Sequence, residues 1–265
     1  MFLSTLSGMI IRAAGGKGTC MHSMERMSEL LSEARQQGDE TRMANLAFKL
    51  GDTHREKGDF QQALPLLEEA CALCRKHHNT FGEAVVSLSL AELHLAAGHA
   101  EQAEILCKSA YHTCLTADDK KNRVRASLLL GDIHWSREDP QKALLPYQEA
   151  LEICSTFEDA LGCGILLDRI AKMHRLLGQD EKAFMYFQEA LKRWERLGVE
   201  DRQAMTFTNL GDLSKKKGDL AQAISWHEQA LAIYRRLKDL RATAAVEQEL
   251  ESLRAAPPAS HDPEP

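Results

Sequence analysis

Aromatic side chains are scarce in this chain of 265 residues, at 6% of the composition, and no apolar run is long enough to span a membrane. Positive charge is not in excess either, since the formal net charge at pH 7 is −6. Proteins that bind nucleic acid generally need a basic surface that displaces counterions from the phosphates. We therefore expect no membrane span and no nucleic-acid partner.

The sequence also lacks a recognisable secretory signal and the motifs of the common enzyme classes. It contains no phosphate-binding loop, nucleophile elbow, kinase signature or zinc-protease helix. Its seven cysteines are an odd number, which together with the missing signal favours a reducing compartment, the cytoplasm. We predict a protein that is not an enzyme and that holds no metal and no cofactor.

The first 22 residues allow two interpretations. They contain no acidic residue, two basic residues and several serines and threonines, as a mitochondrial transit peptide would. Alternatively, they begin a degenerate repeat or cap over residues 1–42, because Ile10 and Gly18 lie forty residues before Leu50 and Gly58. We favour the repeat, and a mitochondrial location remains the alternative.

A forty-residue repeat organises residues 43–240. We call positions forty residues apart a column, and a large apolar residue followed by a small one recurs in two adjacent columns, as in Leu50-Gly51 and Leu210-Gly211. Two further columns hold alanine in all five repeats: Ala63, Ala103, Ala143, Ala183 and Ala223, and Ala70, Ala110, Ala150, Ala190 and Ala230. So regular a pattern predicts five tandem repeats that pack by one rule.

Each repeat is predicted to be a pair of antiparallel helices. Its apolar residues follow the i, i+3, i+4 spacing of one helical face. In the first repeat, Gly58 can end one helix in a left-handed conformation and Asp59 can cap the next. Pro65 and Pro146 lie inside second helices, where we expect mild kinks and no breaks.

The end of the chain follows a different pattern. Residues 241–254 are predicted to form one more amphipathic helix, with Ala245, Leu250 and Leu253 on its apolar side. A stack of repeats needs such a polar-backed helix to cover its last apolar face. Residues 255–265 are rich in proline, and we expect them to be disordered.

The unit resembles the tetratricopeptide repeat. The resemblance rests on Leu210-Gly211, on Ala223 and Ala230, and on their equivalents in the other repeats. A period of forty rather than thirty-four resembles the extended subclass of the Leu-Gly-Asn spindle adaptors, rapsyn and Tonsoku-like proteins. The resemblance implies an all-α, right-handed α-solenoid of stacked antiparallel helix pairs. It also implies a non-enzymatic adaptor whose first helices line a concave, peptide-binding groove.

Carried over by column, the resemblance implies a groove whose lining is acidic in repeats one to three, basic in repeats four and five and apolar between them. The lining residues are Asp52, Arg55, Leu88, Glu92, Leu95, Leu128, Asp132, Trp135, Arg169, Lys172, Arg175, Asn209, Asp212 and Lys215. The expected partner is therefore a protein segment with basic and acidic ends and an apolar anchor at Trp135. As an alternative, the chain is a structural subunit that packs through its convex surface. The oligomeric state stays open.

Two groups of residues resemble metal-binding sites in their residue types and spacing. One is the column of His54, His94, His134 and His174; the other is Cys71 and Cys74 with their neighbouring histidines. Stacked helices lie about 10 Å apart, so histidines in successive repeats cannot share a metal at a bond length of about 2 Å. Cysteines that share columns with leucine and aromatic residues are small apolar packing residues.

Overall fold

The computed structural model describes residues 17–157 and 159–255, with side-chain surroundings from residue 23 onward. Every secondary-structure element in these residues is an α-helix, which confirms the all-α class. The twelve described helices are α1 (Lys17–Gln37), α2 (Glu40–Glu56), α3 (Phe60–Lys76), α4 (Thr80–Ala96), α5 (Ala100–Thr116), α6 (Lys120–Ser136), α7 (Pro140–Ser155), α8 (Ala160–Leu176), α9 (Asp180–Leu197), α10 (Glu200–Lys216), α11 (Leu220–Leu237) and α12 (Leu240–Ala255). The expectations for residues 1–16 and for the tail after Ala255 lie outside the described residues.

Short turns separate the helices and make consecutive helices antiparallel. Gly58 has a φ of +78°, and the side chain of Asp59 accepts a hydrogen bond from the amide of Gln62 at the start of α3. In the third repeat Glu138 takes the left-handed conformation, with a φ of +58°. Helices α3 and α7 continue through Pro65 and Pro146 without a break, as expected.

The repeated small residues lie where helices approach each other most closely. All ten alanines of the two invariant columns are at most 1% exposed. A Cβ atom added at Gly51 would lie 2.9 Å from Cγ of Leu67, and one added at Gly211 would lie 2.7 Å from Nε2 of His227. In repeats one and five, the glycine of the small column therefore leaves room for a side chain of the second helix.

The chain divides into two compact units, Met1–Asp139 and Pro140–Pro265. In the first unit, α1 to α6 pack in sequence around two apolar clusters, one that includes Leu67 and one that includes Ile133. In the second, α7 to α12 pack around Phe187 and Leu210.

Helix α12 buries Val246, Leu250 and Leu253, whereas Ala245 is exposed. The sequence predicts Ala245 on the apolar side of this helix, and that prediction is wrong. Val246, the next residue, is buried there instead. None of the helices described here is long and apolar enough to cross a membrane.

Candidate partner-binding surface

In the first unit, the predicted acidic residues are paired within the protein. Arg55 on α2 is 8% exposed, and its Nε donates to Oδ1 of Asp52 over 2.8 Å. Nη1 of the same guanidinium lies 2.6 Å from Oε2 of Glu92 on α4. Arg55 therefore binds carboxylates from two successive repeats rather than facing solvent.

Arg125 on α6 extends this network to a third repeat. Its Nε donates to Oε1 of Glu92 over 2.8 Å, and its Nη2 donates to Oγ of Ser89 over 2.9 Å. Ser89 in turn donates to Oδ1 of Asp52 over 2.9 Å. We call Asp52, Arg55, Ser89, Glu92 and Arg125 the inter-repeat network.

The inter-repeat network is electrostatically compensated. Burial disfavours the ionised form of Asp52, but the hydrogen bond and charge of Arg55 and the charge of Arg125 outweigh it and lower the pKa of that carboxyl. The carboxylates of Asp52 and Glu92 thus have cationic partners inside the unit. Asp52 and Glu92 are therefore not free to act as a row of carboxylates for a partner. Asp132, the third predicted acidic residue, is half-buried.

Ser89 and Arg125 are not among the site residues predicted from the sequence. The signal for Arg125 was present, because its column otherwise holds Asn45, Val85, Ile165 and Met205. A charge among such residues indicates a partner on a neighbouring helix.

The predicted apolar middle of the groove is corrected in part. Leu88 is 0% exposed and Leu95 is 7% exposed, and both belong to the core between α4, α5 and α6. They fill space between helices and offer no surface to a partner. Leu128 and Trp135 are half-buried, so they alone keep accessible apolar area in this part of the predicted lining.

The six predicted residues of the second unit lie on α8 and α10. Arg169 is buried, Lys172, Arg175 and Asn209 are half-buried, and Asp212 and Lys215 are exposed. Arg175 contacts two other residues of this set: its Nη1 donates to Oδ1 of Asn209 over 3.0 Å and lies 3.7 Å from Oδ2 of Asp212. Lys215 pairs with Glu249 of α12 at 2.6 Å.

A buried carboxylate lies beside these residues. Asp168 on α8 is 6% exposed; its Oδ2 accepts from Nε1 of Trp194 over 3.2 Å, and its Oδ1 accepts from Oγ1 of Thr206 over 3.4 Å. Burial raises the pKa of Asp168 to about 6, against the opposing charges of Lys172 and Arg202. A carboxyl whose pKa is strongly shifted by burial is typical of functional sites.

Two histidines of the column contact the turn that follows their helix. Nδ1 of His54 lies 3.1 Å from Oδ2 of Asp59, and Nδ1 of His174 lies 2.7 Å from Oε1 of Gln179. In each case the histidine contacts the residue five positions later, at the start of the next helix. Within residues 23–157 and 159–255, no three ligand-type side chains are grouped so that they could hold a metal ion.

The cysteines whose surroundings are described are buried and free. Burial raises the pKa of the Cys71 and Cys74 thiols and raises that of Cys107 to about 12. They pack in the core as the sequence predicted, and as protonated thiols they are poor nucleophiles.

The chain belongs to the tetratricopeptide repeat family. One family model, described as tetratricopeptide repeat, matches residues 82–156 and 163–236, which is more than half of the chain, and a second of the same description matches residues 49–81. Proteins of this family are in general non-enzymatic and mediate protein–protein interactions. No curated protein sequence matches the chain.

Solved structures support the same fold. BtubC from P. vanneervenii is 19% identical with a TM-score of 0.72, and the match covers 82% of this chain and 92% of that one. A STAND signal-transduction ATPase with a tetratricopeptide repeat sensor from Pyrococcus horikoshii is 18% identical with a TM-score of 0.73, over 86% of this chain and 36% of that one. The tetratricopeptide-like repeats of a putative kinesin light chain from Podosopora anserina are 16% identical with a TM-score of 0.62, over 79% and 98%.

Proposed function

We propose that this protein is a non-enzymatic adaptor that binds a segment of a partner protein along the surface of its first helices. The supporting observation is the contrast between columns. The invariant alanine columns are buried, whereas the column that changes sign between repeats is half-buried or exposed at every position. It holds Asp52 and Glu92, which belong to the inter-repeat network, and Asp132, Lys172 and Asp212. Residues that differ at accessible positions of an invariant scaffold are where a repeat protein places its specificity.

Site-directed photo-crosslinking in cells tests this proposal. A photoreactive amino acid at Asp212, on the first helix of repeat five, should form a discrete adduct with a protein partner. The same amino acid at Lys192, exposed on the second helix α9, serves as the matched control. Adducts from position 192 with none from position 212 would contradict the proposal.

A second candidate function rests on a separate observation. Ile105, Leu145 and Met185 share one column on second helices and are 69%, 73% and 68% exposed. Large apolar side chains in that position are candidates for an interface with a larger assembly. A structural subunit would lose assembly on changing these three residues to serine, whereas an adaptor that works through its first helices would keep its partners.

We also propose a cytoplasmic location, supported by the free, buried cysteines. The alternative is mitochondrial import with removal of the start of the chain. The N-terminal sequence of the protein isolated from cells distinguishes them. A mature chain that begins within residues 12–22 would contradict the cytoplasmic location.

A further inference from the structure

Repeat four departs from the other repeats on its first helix. Asp168 occupies a column that otherwise holds Phe48, Leu88, Leu128 and Thr208. Lys172, one turn later on the same helix, occupies a column that is otherwise acidic, with Asp52, Glu92, Asp132 and Asp212. In repeat four an aspartate thus stands where most repeats have an apolar residue, and a lysine stands where the other repeats have an acid. Burying a charge costs free energy unless an opposite charge or hydrogen bonds compensate it.

Arg202 on α10 completes the site from the next repeat. Its guanidinium carbon lies 6.0 Å from the ring centre of Trp194, the residue that donates to Asp168. The single hydroxyl proton of Thr206 is shared between the backbone carbonyl of Arg202, at 2.8 Å, and Oδ1 of Asp168, at 3.4 Å. The charges of Lys172 and Arg202 both act on the buried carboxyl of Asp168. We call these three residues the repeat-four site.

Positive charge exceeds negative charge in the repeat-four site. Among the residues described by the structure, neither Lys172 nor Arg202 has a carboxylate within ion-pair distance, and the oxygens of Asp168 are engaged by Trp194 and Thr206. Burial lowers the pKa of Lys172, and the charges of the surrounding arginines lower it further, against the attraction of Asp168. Nothing comparable occurs in the inter-repeat network, where both arginines are paired.

We infer that Lys172 and Arg202 bind a carboxylate side chain of an acidic partner segment, which supplies the negative charge that the repeat-four site lacks. This inference rests on the proposed function and names the chemistry of its ligand. A half-buried ammonium and a guanidinium held against an indole ring suit a carboxylate, because hydrogen bonds between ionised groups are the strong ones and gain from partial exclusion of water. Asp52 and Glu92 of the first unit are already paired with Arg55 and Arg125, so these two carboxylates are not open to the basic end that the sequence predicts for the partner.

The test uses a short peptide of alternating glutamate and glycine, with both ends blocked, and the same peptide with glutamine in place of glutamate. Binding to the full chain is followed by NMR through the indole N–H signals. The Trp194 signal should shift with the glutamate peptide, because its N–H donates to Asp168 within the site. The Trp226 signal, from another part of the same unit, is the internal reference and should stay in place.

Lys172→Gln and Arg202→Gln should each weaken binding of the glutamate peptide about tenfold, the effect of removing one charge-assisted hydrogen bond. Lys172→Arg keeps the charge and should keep most of the affinity. Lys192→Gln makes the same charge change on the exposed face of α9 and should have no effect.

Equal binding of the two peptides would show that the carboxylates are not recognised, and would overturn the inference. Equal weakening by Lys192→Gln and Lys172→Gln would overturn it as well, in favour of general charge attraction. No shift of the Trp194 signal with the glutamate peptide would overturn it as well. The photo-crosslinking experiment decides the adaptor function independently, since adducts from position 212 would remain after a failure of the repeat-four site.

Discussion

At the scale of single residues, His227 is a polar side chain buried in the core of the second unit. It is 1% exposed and lies against Gly211, and neither ring nitrogen has a hydrogen-bond partner among the described residues. Its nearest carboxylate oxygen is Oδ1 of Asp212, at 3.7 Å. In repeat one the same position is Leu67, packed on Gly51. Burial without partners costs free energy that an apolar side chain would not cost.

His227→Leu, which copies repeat one, should stabilise the protein by about 1–3 kcal/mol at neutral pH. Burial lowers the pKa of His227, while Asp212 and Glu249 oppose that effect and Lys215 reinforces it. The native state therefore takes up the proton less readily than the unfolded state, and its stability falls as pH falls below the ordinary histidine pKa. The gain from the substitution should grow in the same range. Urea denaturation at pH 7.5 and 5.5 measures this, and a variant less stable than wild type at both values would contradict it.

Asp168 should give the opposite pH dependence. Its pKa of about 6 lies above that of an unfolded aspartate, so the native state binds the proton more tightly and its stability rises as pH falls through 6. Asp168→Asn keeps an acceptor for Trp194 and removes the buried charge, so it should stabilise the protein at pH 7.5 by roughly 1–3 kcal/mol and little at pH 4.5. The same urea measurement applies. A constant difference across this range would mean that Asp168 does not titrate as described.

At the scale of elements, the inter-repeat network ties α2, α4 and α6 together by their side chains. Glu92 is central because it binds Arg55 and Arg125, which come from opposite sides. A buried ion pair gains little over an apolar contact, but removing one partner leaves the others with uncompensated charge. The network therefore matters mainly through the consequence of breaking it.

Glu92→Gln should destabilise the protein by about 2–3 kcal/mol, because two guanidinium groups lose a charged acceptor. Glu29→Gln is the control, since Glu29 and Arg26 form a pair in which both side chains are more than 60% exposed, and its loss should cost less than about 1 kcal/mol. Thermal unfolding of both variants measures the difference. Similar losses of stability would show that the inter-repeat network contributes no more than an exposed ion pair.

Because Glu92→Gln is expected to lower stability, any binding measured with a Glu92 variant has to be interpreted together with its stability.

At the scale of the whole molecule, the last helix decides whether the apolar face of α11 is covered. Val246 and Leu250 of α12 belong to the same core as Leu213, Ile233 and Tyr234. In a stack of repeats each interface depends on its neighbour, so a missing last helix exposes an apolar face and weakens the pair beneath it.

Ending the chain after Asp239 should therefore lower the melting temperature by several degrees or more and promote aggregation, because α12 no longer covers Ile233 and Tyr234. Ending it after Ala255, which keeps α12, should leave both properties unchanged. Calorimetry and light scattering on the two truncated chains make the comparison. The same melting temperature and the same aggregation in both truncated chains would contradict a capping role for α12.

The sequence by itself determined the repeats, the helix pairs and their turns. These follow from local rules repeated five times, such as the left-handed Gly58, the cap at Asp59 and the alanine columns, and repetition makes each rule visible. Only the tertiary structure decided which groove residues stay accessible. Arg125 meets Glu92 across 33 positions and Ser89 across 36, so their pairing depends on the angle and spacing between helices of different repeats. A column shows which residues share a position. The packing of neighbouring helices determines that Leu88 is covered, that Arg55 is paired, and that Lys172 has no carboxylate in ion-pair contact within the described part of the chain.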